Sequence, residues 1–490
     1  MTQTARPIRI SDFTGGEASI FPITRMPPKY SELFQNCHVS ERGTVAKIPG
    51  YIKVNTTAVA QSLTSGFEFR KTDGTIIILV AGGGKIYKKL ITGELSEVHT
   101  GLDVNAKVYF IAMNNLCIIC NGVNAPLKYD GTTVSALGGT PPSTSYKPHV
   151  HKGRVWMLER TNKMLASHSA LNNPEDYTTV NDAGYIDFKY VLKTGDELVD
   201  IFTYIDLLVF VFRNHIVIYS GTTPSGASSN FVLTQLIEGS GAAGTDTTQG
   251  LGTDAVFAYI GGVKSLQQVV STGNMTQGNV SKLVDPTLTK TIKTALTFAS
   301  AHYAKYGWYL LMLGSTVYIY SYKWKAWGRI TGADILGMFT TADDTLYFVG
   351  TGFLYQYDSG WDFAGTEPIM HWKTAWLPLS VKGNVEYPSI LKMISNPADQ
   401  TDVIISAAYN LNNVMPDNLQ TVTINAENVT YIDSVSAWDS VDPLDEIQYT
   451  ETRLPLFGSG ICMQLGFKNT SSKQVEIADI SIETEMGMGI

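Results

Sequence analysis

"TLYFVGTGFLYQYDSGW", residues 345–361, is the stretch from which the fold can be read. Leu346, Tyr347, Phe348 and Val349 form an apolar run, Gly350 and Gly352 break it, Leu354 to Tyr357 follow, and Asp358, Ser359 and Gly360 close it. Aromatic and β-branched residues suit a pleated, half-buried surface and Gly supplies the turn, so the stretch reads as a β-hairpin. The same order of parts recurs in "TIIILVAGGGKIYKKLITGE" from Thr75, "LCIICNGVNAPLKYDGTT" from Leu116, "LLVFVFRNHIVIYSGTT" from Leu207 and "WYLLMLGSTVYIYSYKW" from Trp308. Anchoring each copy on the last long residue of its second strand gives Lys89, Tyr129, Tyr219, Tyr320 and Tyr357. The two wide gaps each hold a degraded copy, "RVWMLERTNKMLASHS" from Arg154 and "AVFAYIGGVKSLQQV" from Ala255. Seven units at intervals of about 37 to 53 residues follow, which is the spacing of a repeat array.

A period near 40 residues built from strands alone is what a four-stranded propeller blade consumes. Closing the blades into a ring covers the faces that a lone blade would expose. Helical repeats of similar length do not fit, because the apolar runs are short, β-branched and broken by Gly. The fold class is therefore all-β, a β-propeller of about seven blades. Residues 1–61, with "FTGGEASIFPITRMPPKYSELFQNCHVSERGTVAKIPGY", precede it as an N-terminal β platform, and residues 62–380 are the propeller. Residues 381–490 change to longer alternating strands, "TDVIISAAYN", "TVTINA", "ICMQLGFKN" and "VEIADISIETE", and read as a C-terminal β-sandwich. A helix is expected within residues 280–298, "VSKLVDPTLTKTIKTALTF".

Gly at 44, Tyr at 25 and charged residues at 16% fit a turn-rich β protein. No apolar stretch approaches the roughly 20 residues of a membrane helix. The opening "MTQTARPIRI" lacks the apolar core of a signal peptide, so a soluble protein made in a cytoplasm is expected. Cys37, Cys117, Cys120 and Cys462 are too few and too scattered for a disulfide framework. Cys117 and Cys120 form a CxxC, but strand positions three apart face opposite ways and no second CxxC exists, so both read as core thiols.

The net charge of −8 is unevenly spread. Between Met393 and Thr452 there is no Lys or Arg, while Asp399, Asp402, Asp417, Glu427, Asp433, Asp439, Asp442, Asp445, Glu446 and Glu451 all occur. That gives one region a negative field.

Candidate chemistries are weak. "AGGGKIYKKL" lacks the Gly spacing and the Ser or Thr after Lys85 that a phosphate loop needs, and it joins strands. Asp343, Asp344 and Asp358 fall in hairpin turns, where Asp is favoured locally, so a two-carboxylate glycosidase has no clear pair. His149 and His151 share a strand face as metal ligands would, yet no third ligand can be named and Lys152 adjoins them. "SYKWKAWGRI" mixes Lys323, Lys325 and Arg329 with Trp324 and Trp327 as nucleic-acid binders do, but strand alternation produces the same mixture. No enzyme, metal or cofactor is expected; the chain reads as a structural or interaction protein.

"FTGG" with "NCHVSERGTVAKIPGY", "HKGRVWMLERTNKMLASHSALNNPEDY", "LVFVFRNHIVIYSG" and "YSYKWKAWGRI" together resemble the propeller-bearing tail nozzle proteins of short-tailed bacteriophages, the tail tubular protein B and packaged-DNA stabilisation protein groups. The resemblance implies a virion protein, assembled in the host cytoplasm as a homohexameric ring. It would sit below a tail adaptor protein, which the N-terminal segment would dock. It would also carry tail fibre or spike proteins and give transient, non-specific passage to double-stranded DNA, without membrane insertion. A basic channel wall would collect phosphate contacts. An acidic wall keeps the duplex centred and mobile, so Asp433, Asp439, Asp442, Asp445, Glu446 and Glu451 are the expected lining of the conduit. The Gly-rich loops "TTPSGASSN" and "EGSGAAGTDTTQGLG" are candidates for narrowing a channel, or equally for outer loops. The rival reading is a carbohydrate-binding or glycan-hydrolysing propeller that recognises a host surface.

Overall fold

A computed structural model describes residues 7–252, 254–267, 278–379, 384–397, 400–412, 419–424 and 449–486. The chain divides into two units: Ile52–Val317 with Asp334–Tyr357, and Met1–Tyr51 with Tyr318–Ala333 and Asp358–Ile490.

The first unit is a β-propeller. Blade 1 is the antiparallel sheet Ser65–Arg70, Ile76–Gly82, Lys85–Lys89 and Leu95–Thr100, and blade 2 is Tyr109–Met113, Leu116–Cys120, Leu127–Tyr129 and Val134–Ala136. Blade 3 is Ser145–His151, Arg154–Glu159, Leu165–His168 and Gly184–Asp187, and blade 4 is Leu198–Tyr204, Leu207–Phe212, His215–Ser220 and Val232–Glu238. Blade 5 has three strands among the described residues, Gln249–Gly250, Ala255–Tyr259 and Gly262–Ser265. Blade 6 starts with Phe298–Tyr303 and Trp308–Leu313, and blade 7 is Gly337–Thr340, Leu346–Val349 and Leu354–Tyr357. The quoted stretch thus supplies two strands of blade 7, and the repeats read from the sequence coincide with blades except the one from Trp308, which leaves blade 6 for the second unit at Tyr318. The helix expected within residues 280–298 is Asp285–Thr294, with Pro286 in its first turn and Leu288 and Ile292 buried. No described helix is long and apolar enough to cross a membrane.

The ring closes. The first strand of blade 7 touches that of blade 1, and contacts between first strands continue through blades 2, 3 and 4. Val199, Val209 and Ile218 of blade 4 then pack with Ala255 and Phe257 of blade 5, and the first strand of blade 6 touches those of blades 5 and 7. Apolar side chains from facing sheets fill each seam, which is why lone hairpins of this kind need neighbours. Between blades 1 and 2, Phe69, Leu79 and Ile86 meet Phe110, Cys117 and Ile119, while Cys120 packs with Val155 and Met157 of blade 3. The two cysteines therefore point to opposite faces and are buried, free thiols, as their spacing required.

The chain's entry into the unit fastens the ring. The Val54 N–H donates to the Leu354 carbonyl at 2.8 Å, adding the Tyr51–Lys53 strand to blade 7. Asn55, fully buried, accepts at Oδ1 from the Leu354 N–H at 2.8 Å and donates through Nδ2 to the carbonyls of Thr57 at 2.7 Å and Gly352 at 3.1 Å. Removing a partner leaves a buried backbone group unsatisfied. Asn55→Ala is expected to cost about 2 kcal/mol in urea denaturation, and an unchanged midpoint would mean that this clamp does not fasten the ring.

The second unit is a β-sandwich. One sheet runs in the order Thr450–Pro455, Glu386–Pro397, Val475–Met486, Val45–Lys47 and Cys37–Val39, with Ile8–Ile10 also paired to Val475–Met486. The other joins Ala326–Ile330, Gly16–Glu17, Tyr30–Gln35, Met370–Thr374, Cys462–Asn469, Thr401–Tyr409 and Leu419–Ile424. Leu391, Met393, Ile480 and Ile482 from the first sheet interleave with Phe34, Trp372, Val403, Ile405 and Phe467 from the second. Trp372 stacks on Phe467 at 4.8 Å between ring centroids.

This division differs from three successive zones at 1–61, 62–380 and 381–490. The N-terminal platform and the C-terminal sandwich are one unit, because Phe34 and Gln35 pair with Trp372 and His371, and Val45 and Ala46 pair with Ile477 and Glu476. Residues 318–333 and 358–380, counted with the propeller by their place in the repeat, belong to the same sandwich. Strand pairing between chain ends leaves no local signal in sequence.

Candidate functional site

First strands of the propeller surround a cavity of about 420 Å³. Its wall includes Thr64, Ser65, Gly66 and Phe67 of blade 1, Lys107 to Ile111 at blade 2, Lys147 of blade 3, Ser300 of blade 6 and Phe339 of blade 7. Asp246 and Gln249 reach the same space from the segment between blades 4 and 5. A second cavity of about 370 Å³ shares Thr64, Lys107 and Tyr109 with it, and its wall carries the exposed Val104 and Leu296.

Asp246 organises the polar side of the cavity. Lys107 Nζ stands 2.7 Å from its Oδ2 and Lys147 Nζ 2.6 Å from its Oδ1, while Lys147 also lies 3.3 Å from Asp200 Oδ1. The Ser300 hydroxyl donates to the Asp246 carbonyl at 2.6 Å, Gln249 Nε2 donates to the Ser300 carbonyl at 3.0 Å, and the Tyr309 hydroxyl donates to the Thr247 carbonyl at 2.6 Å. These bonds pin the segment carrying Asp246. Asp246 at φ +63° and Lys147 at φ +48° both occupy the left-handed region, a cost of order 1–3 kcal/mol each that surrounding contacts must offset.

The electrostatics separate the two carboxyl groups. Burial works against the Asp246 charge, but the ammonium groups of Lys107 and Lys147 outweigh it and hold this carboxyl below the ordinary carboxylate range. For Asp200 burial wins over Lys147, so its affinity for a proton is raised. Burial also opposes the Lys147 charge, and Asp200 and Asp246 reverse that effect. The other wall is apolar: Phe67 stacks with Phe110 at 6.1 Å and 12°, and a Cβ on Gly66 would lie 2.2 Å from the Phe339 ring. Gly66 therefore lets that ring close against the backbone. The Ser65 hydroxyl, also on the wall and buried, has no hydrogen-bond partner among the described residues.

Of the expected conduit lining, Asp433, Asp439, Asp442, Asp445 and Glu446 lie outside the described residues. Glu451 is in the strand Thr450–Pro455 of the sandwich, exposed, with its Oε1 2.5 Å from Arg453 Nε. His149 Nε2 and His151 Nδ1 both meet the Thr203 hydroxyl, at 2.8 and 2.9 Å, so they converge on a protein oxygen. Burial, with His151 and Lys147 adding to it, pushes His149 down to about 3, and burial with Lys152 pushes His151 down to about 4. Among the described residues no group of three His, Cys, Asp or Glu side chains is placed to hold a metal ion.

The remaining sequence candidates serve the fold. Gly83 and Gly84 form the hairpin turn of blade 1, and Lys85 pairs with Glu97 at 2.7 Å. The Asp344 carboxylate accepts from the Ala304 and Lys305 N–H groups some 40 residues back in the chain, so it ties blade 7 to blade 6 instead of bonding within its own turn. Trp327 is buried and Trp324 Nε1 donates to the Ser40 carbonyl at 2.9 Å, while Lys323 and Lys325 are exposed. Of the two Gly-rich loops, "EGSGAAGTDTTQGLG" carries Asp246 and reaches the cavity, whereas "TTPSGASSN" is tied to itself by Asn230 Oδ1, which accepts from the N–H groups of Thr222 and Thr223. Lys107, Lys147 and Asp200 carried no motif.

No family model and no curated protein matches this chain. Among solved structures, a streptogramin B lyase is 14% identical, with the match covering 63% of this chain and 96% of that one at a TM-score of 0.43. Virginiamycin B lyase from Staphylococcus aureus is 13% identical, covering 63% and 98% at 0.44, and the WD40 β-propeller domain of Doa1 is 11% identical, covering 63% and 97% at 0.40. Identities and scores this low carry no functional information, and the propeller rests on its strand pairing.

Proposed function

We propose that this chain is a structural protein of a short bacteriophage tail, a nozzle subunit that assembles into a homohexameric ring below a tail adaptor. The ring retains genomic DNA, passes it during ejection and docks fibres or spikes; the proposal includes no catalytic step. The observation that carries it is a closed propeller inserted into a sandwich built from both chain ends. A module fastened to itself and joined to the rest of the chain at four crossings suits a part that keeps its shape within a large assembly. The propeller's own cavity is walled in part by the Lys107–Asp246–Lys147 ion pairs, and about 420 Å³ is no passage for a duplex whose major groove alone is about 12 Å wide. The DNA path in this proposal therefore runs between copies.

The test is electron microscopy of the purified chain, alone and with its adaptor. Rings with a central channel are the expected result. A single chain in both preparations that cleaves or binds host-surface glycan polymer would replace this reading with the carbohydrate-directed one.

A further inference from the structure

We propose that the cavity inside the propeller is a binding site for a small, uncharged polyhydroxylated molecule of monosaccharide size. Its volume of about 420 Å³ falls at the small end of the range of about 300–1,000 Å³ typical of ligand pockets. The two walls differ in kind. Phe67, Phe110 and Phe339 supply the aromatic part of the lining, the kind of surface against which a sugar ring's C–H groups pack, and the Lys107–Asp246–Lys147 pairs with Gln249 supply the polar part.

Charge decides the ligand class. Two ammonium groups face two carboxylates, Asp246 between Lys107 and Lys147 and Asp200 beside Lys147, so the cluster carries no net charge to attract an ion of either sign. A hydroxyl group can donate to the carboxylate and accept from an ammonium without disturbing either, which matches a neutral polyol. Access exists as well, since the side chains of Lys107 and Lys147 keep 27% and 20% of their surface exposed.

This inference stands apart from the assembly proposed above, because it is read by ligand binding and the assembly by electron microscopy. The full chain is titrated by calorimetry and saturation-transfer NMR with D-glucose, N-acetyl-D-glucosamine and mannitol, and in parallel with glucuronate, glucose 6-phosphate and choline. At least one neutral compound is expected to bind with Kd of about 1 mM or tighter, ahead of every charged one. Phe67→Leu, which removes the aromatic face, is expected to weaken that binding about tenfold with the thermal midpoint unchanged. The proposal is overturned if no neutral compound binds at about 50 mM, if a charged compound binds more tightly, or if Phe67→Leu binds as the parent does.

Discussion

Lys147→Met is expected to lower the stability of the propeller by about 3–5 kcal/mol at pH 7, the usual cost of removing one member of a buried ion pair. Lys147 is the cation beside Asp200, at 3.3 Å, and the Asp200 side chain is only 3% exposed. Its second carboxylate oxygen has no hydrogen-bond partner among the described residues. Asp246 keeps Lys107, so the loss falls chiefly on Asp200. Methionine fills much of the lysine stem's volume, which separates the electrostatic loss from a cavity.

Two checks follow. Asp200 already has a raised proton affinity, and removing Lys147 raises it further, so the variant should recover stability as pH falls toward the ordinary carboxylate range. Asp200→Asn in the Lys147→Met background should recover most of the loss at pH 7. Urea denaturation of the four proteins of this cycle measures it. Additive effects, or a loss independent of pH, would show that the ion pair is not what holds these strands.

The sandwich should lose about 3 kcal/mol between pH 4.5 and pH 7 through one residue, Glu17, its carboxyl being raised from 4.5 to about 7. Burial is the main cause and outweighs the Arg329 guanidinium, whose Nη2 lies 3.0 Å from Glu17 Oε1. In that window the folded chain keeps a proton that the unfolded chain has released, so stability falls as pH rises and levels off above about 7. Below 4.5 both states are protonated and the contribution is flat. Glu17→Gln carries no titrating proton and should flatten this part of the profile. Equal slopes for parent and variant in urea denaturation between pH 4.5 and pH 8 would assign the pH dependence elsewhere.

Legibility in the sequence follows the range of the interaction. Blade hairpins are local: Leu346–Val349 and Leu354–Tyr357 pair across a few residues, and Gly350 and Gly352 mark the break. Cys117 and Cys120 were readable for the same reason, since alternation along one strand sets the face of each. His149 and His151 do share a face, but their common partner Thr203 comes from the next blade. The cavity cluster was not readable. Lys107, Lys147, Asp200 and Asp246 are separated by tens of residues, each sits in an unremarkable context, and only ring closure brings them within ion-pair distance. One hint was present: the loop holding Asp246 was singled out for its Gly content, though without a direction.

Alone, the amino-acid order determined that this chain makes short antiparallel strands in a repeating unit, because side-chain alternation and turn residues act over a few positions. It also put the number of such units at about seven. Tertiary structure decided which chain ends share a sandwich, how the Tyr51–Lys53 strand fastens the seventh blade and which charges meet around the cavity. Those outcomes depend on contacts between residues far apart in the chain, where burial and ion pairing act through space and leave no periodic trace in sequence.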